Sequence, residues 1–105
     1  MAFDKLHNPQ VAEAFTVYNV TLAANNTQYS QALPSMTTIL EFQNRGAHDI
    51  RYAFVTGKVA ASTAPYMTLK SGGYFYRDNL LLVGVTLYIA TGDGASDVVE
   101  IMAGV

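Results

Sequence analysis

The sequence predicts an all-β domain: an antiparallel β-sandwich or jelly roll of about 7 to 8 short strands with a short N-terminal arm. Apolar and polar residues alternate with the two-residue period of half-buried strands, and turn residues recur roughly every ten positions. A chain of 105 residues can bury one hydrophobic core and is too short for two domains. We therefore divide it into an arm, residues 1–14, and a β-sandwich domain, residues 15–105.

The arm mixes polar residues with scattered apolar ones. Pro9 suits the first position of a short helical turn, because the N–H that proline lacks has no partner there in any helix. Phe3, Leu6 and Val11 are apolar, which makes them candidates for contact with a neighbouring subunit. A frayed terminus is the alternative interpretation of this segment.

Residues 37–57 hold two alternating runs on either side of a polar turn, residues 44–49, and we expect a β-hairpin there. Gly46 can adopt a positive φ in this turn, and asparagine and aspartate side chains can bond the nearby backbone. The same alternation, followed along the whole chain, predicts which large apolar side chains face the core. They are Leu40, Phe42, Ile50, Phe54, Leu69, Phe75, Leu87, Val99 and Ile101.

The other segments are assigned from the same patterns. Residues 15–22 carry large apolar side chains at both odd and even positions, which predicts a strand covered on both faces. Residues 23–35 carry no charge and are rich in Asn and Gln, which indicates a long exposed loop. Residues 80–90 are the most hydrophobic run, and β-branched residues favour a strand there over a buried helix, with Gly84 as the site of a bulge or of a close backbone approach. Further strands are predicted at residues 66–69, 74–77 and 97–103.

The composition excludes several classes of function. Six Lys and Arg residues and a net charge of −2 do not suit a phosphate-binding surface, so we expect no nucleic-acid partner. The chain has no cysteine, and therefore no disulfide, thiolate metal site or cysteine nucleophile. No run approaches the ~20 apolar residues of a membrane span, and the first ten residues lack the apolar segment of a signal peptide. We expect a protein made in the cytoplasm, without membrane contact.

The surface is expected to be short of charge. Only 13% of the residues are charged, whereas roughly 25% are charged in typical soluble domains. Seven of the 105 residues are tyrosines. A neutral, tyrosine-rich surface favours contact with other proteins. We therefore predict a homo-oligomer, or a chain that reaches its stable form inside an assembly.

No spacing of residues indicates catalysis or metal binding. His48 beside Asp49 would suit a general base, but neighbouring side chains in a turn usually point apart. The second histidine, His7, lies in the arm, so a two-histidine metal site would require the arm to fold back. Loop oxygens could hold Ca²⁺, although the spacing is not that of an EF-hand; the donors are Asp78, Asn79, Asp93 and Asp97. We predict a non-enzymatic protein that uses no cofactor and no metal.

Tyrosines on strands leave two interpretations open. Aromatic faces on a flat sheet can stack on sugar rings, which would suit a glycan-binding module. Tyrosine also fits half-buried strands and protein interfaces, where it offers a large contact area at low entropy cost. The residues concerned are Tyr52, Tyr66, Tyr74, Tyr76 and Tyr88.

Three phrases, taken in order, resemble small virion structural proteins of tailed bacteriophages: FQNRGAHDIRYAF, YMTLKSGGYFY and LLLVGVTLYIATGDGASDVVEI. In these proteins a strand that ends in Asn leads through a polar turn to a second strand. A leucine-x-x-glycine turn follows, and then a leucine-tyrosine strand and a closing valine-rich strand. The resemblance covers residues 37–102.

The resemblance implies a β-sandwich that works by assembly. It implies a head decoration or cement protein that binds the outer surface of a bacteriophage capsid and stabilises the particle. Its partners would be the major capsid protein or other virion proteins, and its location the virion surface. A component of the neck, tail or fibre base is the alternative, followed by a carbohydrate-binding module.

The arm and the Asn-rich loop lie outside the resemblance. A rigid sheet alone offers little reach, so we predict that these two flanking segments contact the neighbouring subunits. The predicted partner-binding residues are Phe3, Leu6, Val11, Asn25, Asn26, Gln28 and Tyr29.

Overall fold

The computed structural model describes residues 14–61, 65–92 and 96–105. That part of the chain forms eight strands and contains no helix. The strands are β1 (Phe15–Leu22), β2 (Tyr29–Ala32), β3 (Ile39–Asn44), β4 (Ile50–Ala53), β5 (Met67–Leu69), β6 (Tyr74–Arg77), β7 (Thr86–Thr91) and β8 (Asp97–Gly104).

The strands form two four-stranded antiparallel sheets. Sheet A has the order β1-β8-β3-β6, and sheet B has the order β2-β7-β4-β5. This is the strand order of an eight-stranded jelly roll, in which two sheets pack face to face and the chain repeatedly crosses between them. The predicted fold class, an all-β antiparallel sandwich or jelly roll, is confirmed.

The core lies between the two sheets and is formed by alternate residues of the inner strands. Most of the predicted core positions are buried, and Phe75 is half-buried. Phe54 is 41% exposed, so its predicted burial is wrong, because β4 ends one residue earlier, at Ala53. The large apolar side chains that are fully buried in this core are Leu22, Leu40, Phe42, Ile50, Leu87, Ile89, Val99 and Ile101.

The predicted hairpin over residues 37–57 is wrong. β3 pairs with β6 and β8, whereas β4 pairs with β5 and β7 in the other sheet. The two strands face each other across the core, and the ring of Phe42 meets that of Tyr52 edge to face at 5.0 Å between centroids. Alternation predicts a buried face for each strand, but it does not distinguish a neighbour in the same sheet from one in the opposite sheet.

β1 begins and ends where it was predicted, but it is not covered on both faces. It lies at the edge of sheet A, and Phe15 and Val17 are 52% and 63% exposed. Before it, Ala14 and Val105 exchange backbone hydrogen bonds of 3.1 and 2.7 Å, which extend the β1–β8 ladder. The rest of the predicted arm lies outside the described residues.

Two further segments differ from their predictions. Residues 23–35 are not a continuous loop, because β2 lies within them and pairs with β7. In residues 80–90 the strand begins only at Thr86, and Gly84 lies in a turn with a φ of +67° rather than in a bulge. The strands predicted at 66–69, 74–77 and 97–103 are present as β5, β6 and β8.

Candidate functional site

An open apolar groove lies on the side of the sandwich where β5 and β6 form the sheet edges. It has a volume of about 500 Å³. The groove forms because the strands bordering it are short: β5 has three residues, and β6 and β4 have four each. The sheets therefore separate here before their inner faces are fully covered. The lining residues are Leu40, Tyr52, Phe54, Met67, Phe75, Arg77, Leu80, Leu82 and Val85.

An aromatic cluster forms the floor of the groove. The rings of Phe42 and Phe75 stack at 4.5 Å between centroids, and Tyr52 meets Phe75 edge to face at 5.8 Å. Burial raises the pKa of Tyr52, and the nearby charge of Arg77 acts in the opposite direction. The cluster makes this floor a rigid apolar surface, since each ring has a packed neighbour.

The rim of the groove includes an exposed methionine, Met67, and a charged residue, Arg77. Met67 is 61% exposed, and methionine adapts its shape to irregular partners. Arg77 lies over the ring of Phe75, with its guanidinium carbon 5.8 Å from the ring centroid, and is the charged group of the lining. A second hollow of about 250 Å³ continues the groove and shares Tyr52, Phe54 and Met67 with it. The combined surface is mostly apolar, with Arg77 and Lys58 as charged residues at its border.

His48 and Asp49 have separate partners. The Nδ1 of His48 lies 3.2 Å from Oδ2 of Asp97, at the start of β8. Asp49 accepts a 3.0 Å hydrogen bond from the N–H of Ser71 and lies 3.3 Å from Nζ of Lys70. Ser71 in turn donates its hydroxyl to a backbone carbonyl, so its oxygen is not activated by the histidine. These groups join loops to each other and do not converge on a common reacting atom.

Asn44 is a buried junction at the end of β3. Its side-chain NH₂ donates to the carbonyl oxygens of His48 at 2.8 Å and of Leu69 and Lys70 at 3.2 Å each. Its side-chain oxygen accepts a 2.9 Å hydrogen bond from the N–H of Gly46. The asparagine therefore ties the β3–β4 loop to the end of β5, so its role is structural.

Arg51 points outward from sheet B and joins two loops. Its Nε donates a 2.6 Å hydrogen bond to the carbonyl of Val59, and its Nη2 donates a 2.9 Å hydrogen bond to Oδ1 of Asn26. Val59 is fully buried, although it lies in the loop between β4 and β5. This loop therefore folds over the outer face of sheet B, with the arginine holding it in place.

The predicted partner-binding loop is partly occupied by contacts within the chain. Asn26 accepts from Arg51, and Gln28 bonds Thr56 at 3.0 Å and the N–H of Gly57 at 2.8 Å. The hydroxyl of Tyr29 accepts a 3.0 Å hydrogen bond from a backbone N–H of the preceding loop, while Asn25 is exposed. Partner binding by these four residues stays a prediction. Phe3, Leu6 and Val11 lie outside the described residues, and so do His7 and Asp93.

The tyrosines considered for sugar stacking do not share one surface. Tyr52 is buried in the groove floor, and Tyr88 points outward from sheet B. Tyr74 and Tyr76 are exposed on the outer face of sheet A, on the opposite side of β6 from Phe75. Tyr52 therefore does not share an exposed surface with Tyr74 and Tyr76.

Sequence reasoning missed the groove as a site. Met67 was placed on a strand face and Phe54 in the core, but nothing in the local pattern places them together. Gly57 soon after β4 was the available signal that the strand ends early and leaves Phe54 outside it.

Residues 14–61, 65–92 and 96–105 contain neither a metal-binding cluster nor a membrane-spanning helix. Within these ranges no three His, Cys, Asp or Glu side chains gather in a way that could hold a metal ion. The same ranges contain no helix long and apolar enough to cross a membrane.

No family model and no curated protein matches this chain. Among solved structures, it is similar to a de novo designed double-stranded β-helix, with a TM-score of 0.49 and 13% identity over 88% of this chain and 97% of that chain. It is also similar to PirA, with a TM-score of 0.49 and 12% identity over 83% and 92% of the two chains. A third similar structure comes from work on disulfide-linked pili of Bacillus endospore appendages, with a TM-score of 0.43 and 13% identity over 88% of each chain. At these identities and TM-scores, the likenesses do not bear on activity or partners.

Proposed function

We propose that this protein is a non-enzymatic structural component of a tailed-bacteriophage particle that binds the outer surface of the capsid as a decoration or cement protein. The sequence resemblance over residues 37–102 supports the phage assignment. The jelly roll is compatible with it, because this fold occurs in viral capsid domains, although it also serves unrelated functions.

The observation that carries the proposal is the apolar groove between β5 and β6. A groove with a rigid aromatic floor and an adaptable rim accepts an apolar side chain or loop of another protein. The partner we propose is a surface loop of the major capsid protein or of another virion protein. Many copies, each bound weakly, can together stabilise a symmetric shell.

The arm is a second proposed contact. Phe3, Leu6 and Val11 would attach each copy to a neighbouring subunit, and the loop residues Asn25 and Tyr29 would add polar contacts. Deletion of residues 1–14 should then leave the sandwich folded and loosen its attachment to particles.

The groove is tested with Met67→Asp. Purified protein is mixed with phage particles that lack it, and the bound fraction is measured by sedimentation. Placing an unpaired carboxylate against an apolar partner should weaken binding by about tenfold or more. Met67→Leu, which keeps the apolar surface, should bind as the natural protein does.

Thr68→Asp is the matched control, because it adds the same charge to the next residue of β5, which points to the other face of sheet B. Equal binding by the Met67→Asp and Thr68→Asp variants would remove the groove from the proposal. Immunogold labelling of intact virions tests the location independently: label on the tail rather than the head would replace capsid decoration with the neck, tail or fibre-base alternative.

A further inference from the structure

Among the described residues, β1 pairs with β8 on one edge and with no strand on the other, and the backbone groups on that free edge can be identified. Ala14 and Val105 bond each other in both directions, and antiparallel pairs alternate between bonded and non-bonded residues. Ala14, Thr16, Tyr18, Val20 and Leu22 therefore direct their N–H and C=O groups towards β8. The remaining residues of β1 direct theirs away from the sheet, and among the described residues nothing bonds them. They are Phe15, Val17, Asn19 and Thr21.

The free edge of β1 lacks the features that normally prevent pairing between chains. Protected edge strands are short or carry lysine, proline or a bulge. β1 has eight residues in unbroken register with β8, and residues 14–40 contain no charged side chain and no histidine. This stretch also contains β2, the adjacent edge of sheet B. The two edge strands on this side of the sandwich, β1 and β2, therefore carry no charge.

We propose that two copies of this chain pair through β1, antiparallel and about a twofold axis at Tyr18, so that the two A sheets become one eight-stranded sheet. A twofold axis perpendicular to the sheet keeps each outward side chain facing outward. Two residues that lie opposite each other must therefore both have odd numbers or both have even numbers. The register centred on Tyr18 places Val17 opposite Asn19 and Phe15 opposite Thr21. Every free N–H and C=O group of both strands then finds a partner.

A second copy fits this edge better than a charged partner strand does. The β1 strand of a second copy has the same eight-residue length, and the pairing places no charged residue opposite another. The chain as a whole carries a net charge of −2, so copies repel weakly elsewhere, and the uncharged side is where they can approach. Phe15 and Val17, exposed in the single chain, gain cross-strand neighbours. This inference does not depend on the proposed capsid partner.

The edge is tested with Val17→Pro in the full chain. Proline at this position removes an N–H that faces the free edge and leaves the bonds to β8 in place. Light scattering after size exclusion should give the natural protein twice the 11.4 kDa mass of one chain, and the proline variant the mass of one chain. Val17→Thr, which keeps the N–H, should remain a dimer. A natural protein that is monomeric at every concentration, or a folded proline variant that stays dimeric, overturns the proposal.

The register is tested with single cysteines, since the chain has none of its own. In the proposed pairing Tyr18 lies opposite itself in a non-hydrogen-bonded pair, with about 4.5 Å between Cα atoms, within the range of a disulfide. The two copies of Thr16 lie four positions apart along the strands, roughly 13 Å. Under oxidation Tyr18→Cys should give covalent dimers and Thr16→Cys should not. This experiment also decides the matter if the proline variant fails to fold: equal cross-linking by both cysteine variants, or by neither, overturns the pairing.

Discussion

The two sides of this sandwich solve the problem of an exposed sheet edge in opposite ways. On the β5/β6 side the edge strands have three and four residues, and Lys70 and Arg77 lie at their ends. On the β1/β2 side β1 has eight residues, and neither β1 nor β2 contains a charged residue. Short, charged edges discourage strand pairing, whereas a long neutral edge invites it. The difference indicates that the first side offers a groove and the second offers a backbone edge.

The two sides also differ in the hydrogen bonds that hold their edge strands in place. β1 is held by an unbroken eight-residue ladder with β8. β5 forms a ladder of only three residue pairs with β4, so it depends on side chains for its position. Asn44 supplies that support through the carbonyls of Leu69 and Lys70. Substitutions that remove side-chain hydrogen bonds should therefore affect the β5/β6 side more than the β1/β2 side.

Asn44→Ala should give the largest effect of this kind. It removes several hydrogen bonds and leaves buried backbone groups without partners, which should lower the free energy of unfolding by about 3 kcal/mol. Ser30→Ala is the control on the β1/β2 side, because Ser30 is exposed on β2 and should change stability by less than about 0.5 kcal/mol. Urea denaturation of both variants measures the difference. Similar losses for the two variants would mean that side chains support both sides equally.

The sequence predicts strands well where β-branched and aromatic residues form a run bounded by turn residues, and fails where the outcome depends on distant residues. β1, β6 and β8 lie where they were expected, because each is such a run. β2 was missed because its four residues, YSQA, are mostly small or polar and gain their strand character from pairing with β7.

The sheet assignment and the groove could not be predicted for a different reason. β3 and β4 both alternate, and their separation into two sheets follows from which strands they pair with, which no local pattern specifies. The groove exists because strands distant in sequence end close together in space. The burial of Asn44 likewise depends on the end of β5, 25 residues away. Its position at the start of a polar turn predicts only a bond to the nearby backbone.

Arg51→Lys should have the second-largest effect, since it loosens the loop that covers sheet B. Lysine keeps the charge but cannot donate to Val59 and Asn26 at the same time with the same geometry. We expect a loss of about 1 to 2 kcal/mol in the free energy of unfolding. Hydrogen exchange should increase in the β1–β2 and β4–β5 loops and stay unchanged in β8. Unchanged exchange in both loops would show that Val59 holds the loop by burial alone.

Asp49→Asn should have the smallest effect and should depend on pH. The N–H of Ser71, and then the ammonium of Lys70, lower the pKa of Asp49 below its usual value of 3.8. A carboxyl group with a lowered pKa in the folded state stabilises the fold above its unfolded pKa, and that contribution is lost as the pH falls through the folded pKa. The natural protein should thus be slightly more stable than the variant at pH 7, and the two should converge in acid below the lowered pKa. Because Asp49 and Lys70 are both exposed, salt should also reduce the difference in stability at pH 7.

Asp78→Asn controls for the general effect of removing one negative charge, because Asp78 is another exposed aspartate and follows directly after β6. The same pH dependence in both variants would assign the effect to net charge and not to the bond between Asp49 and the β5–β6 loop.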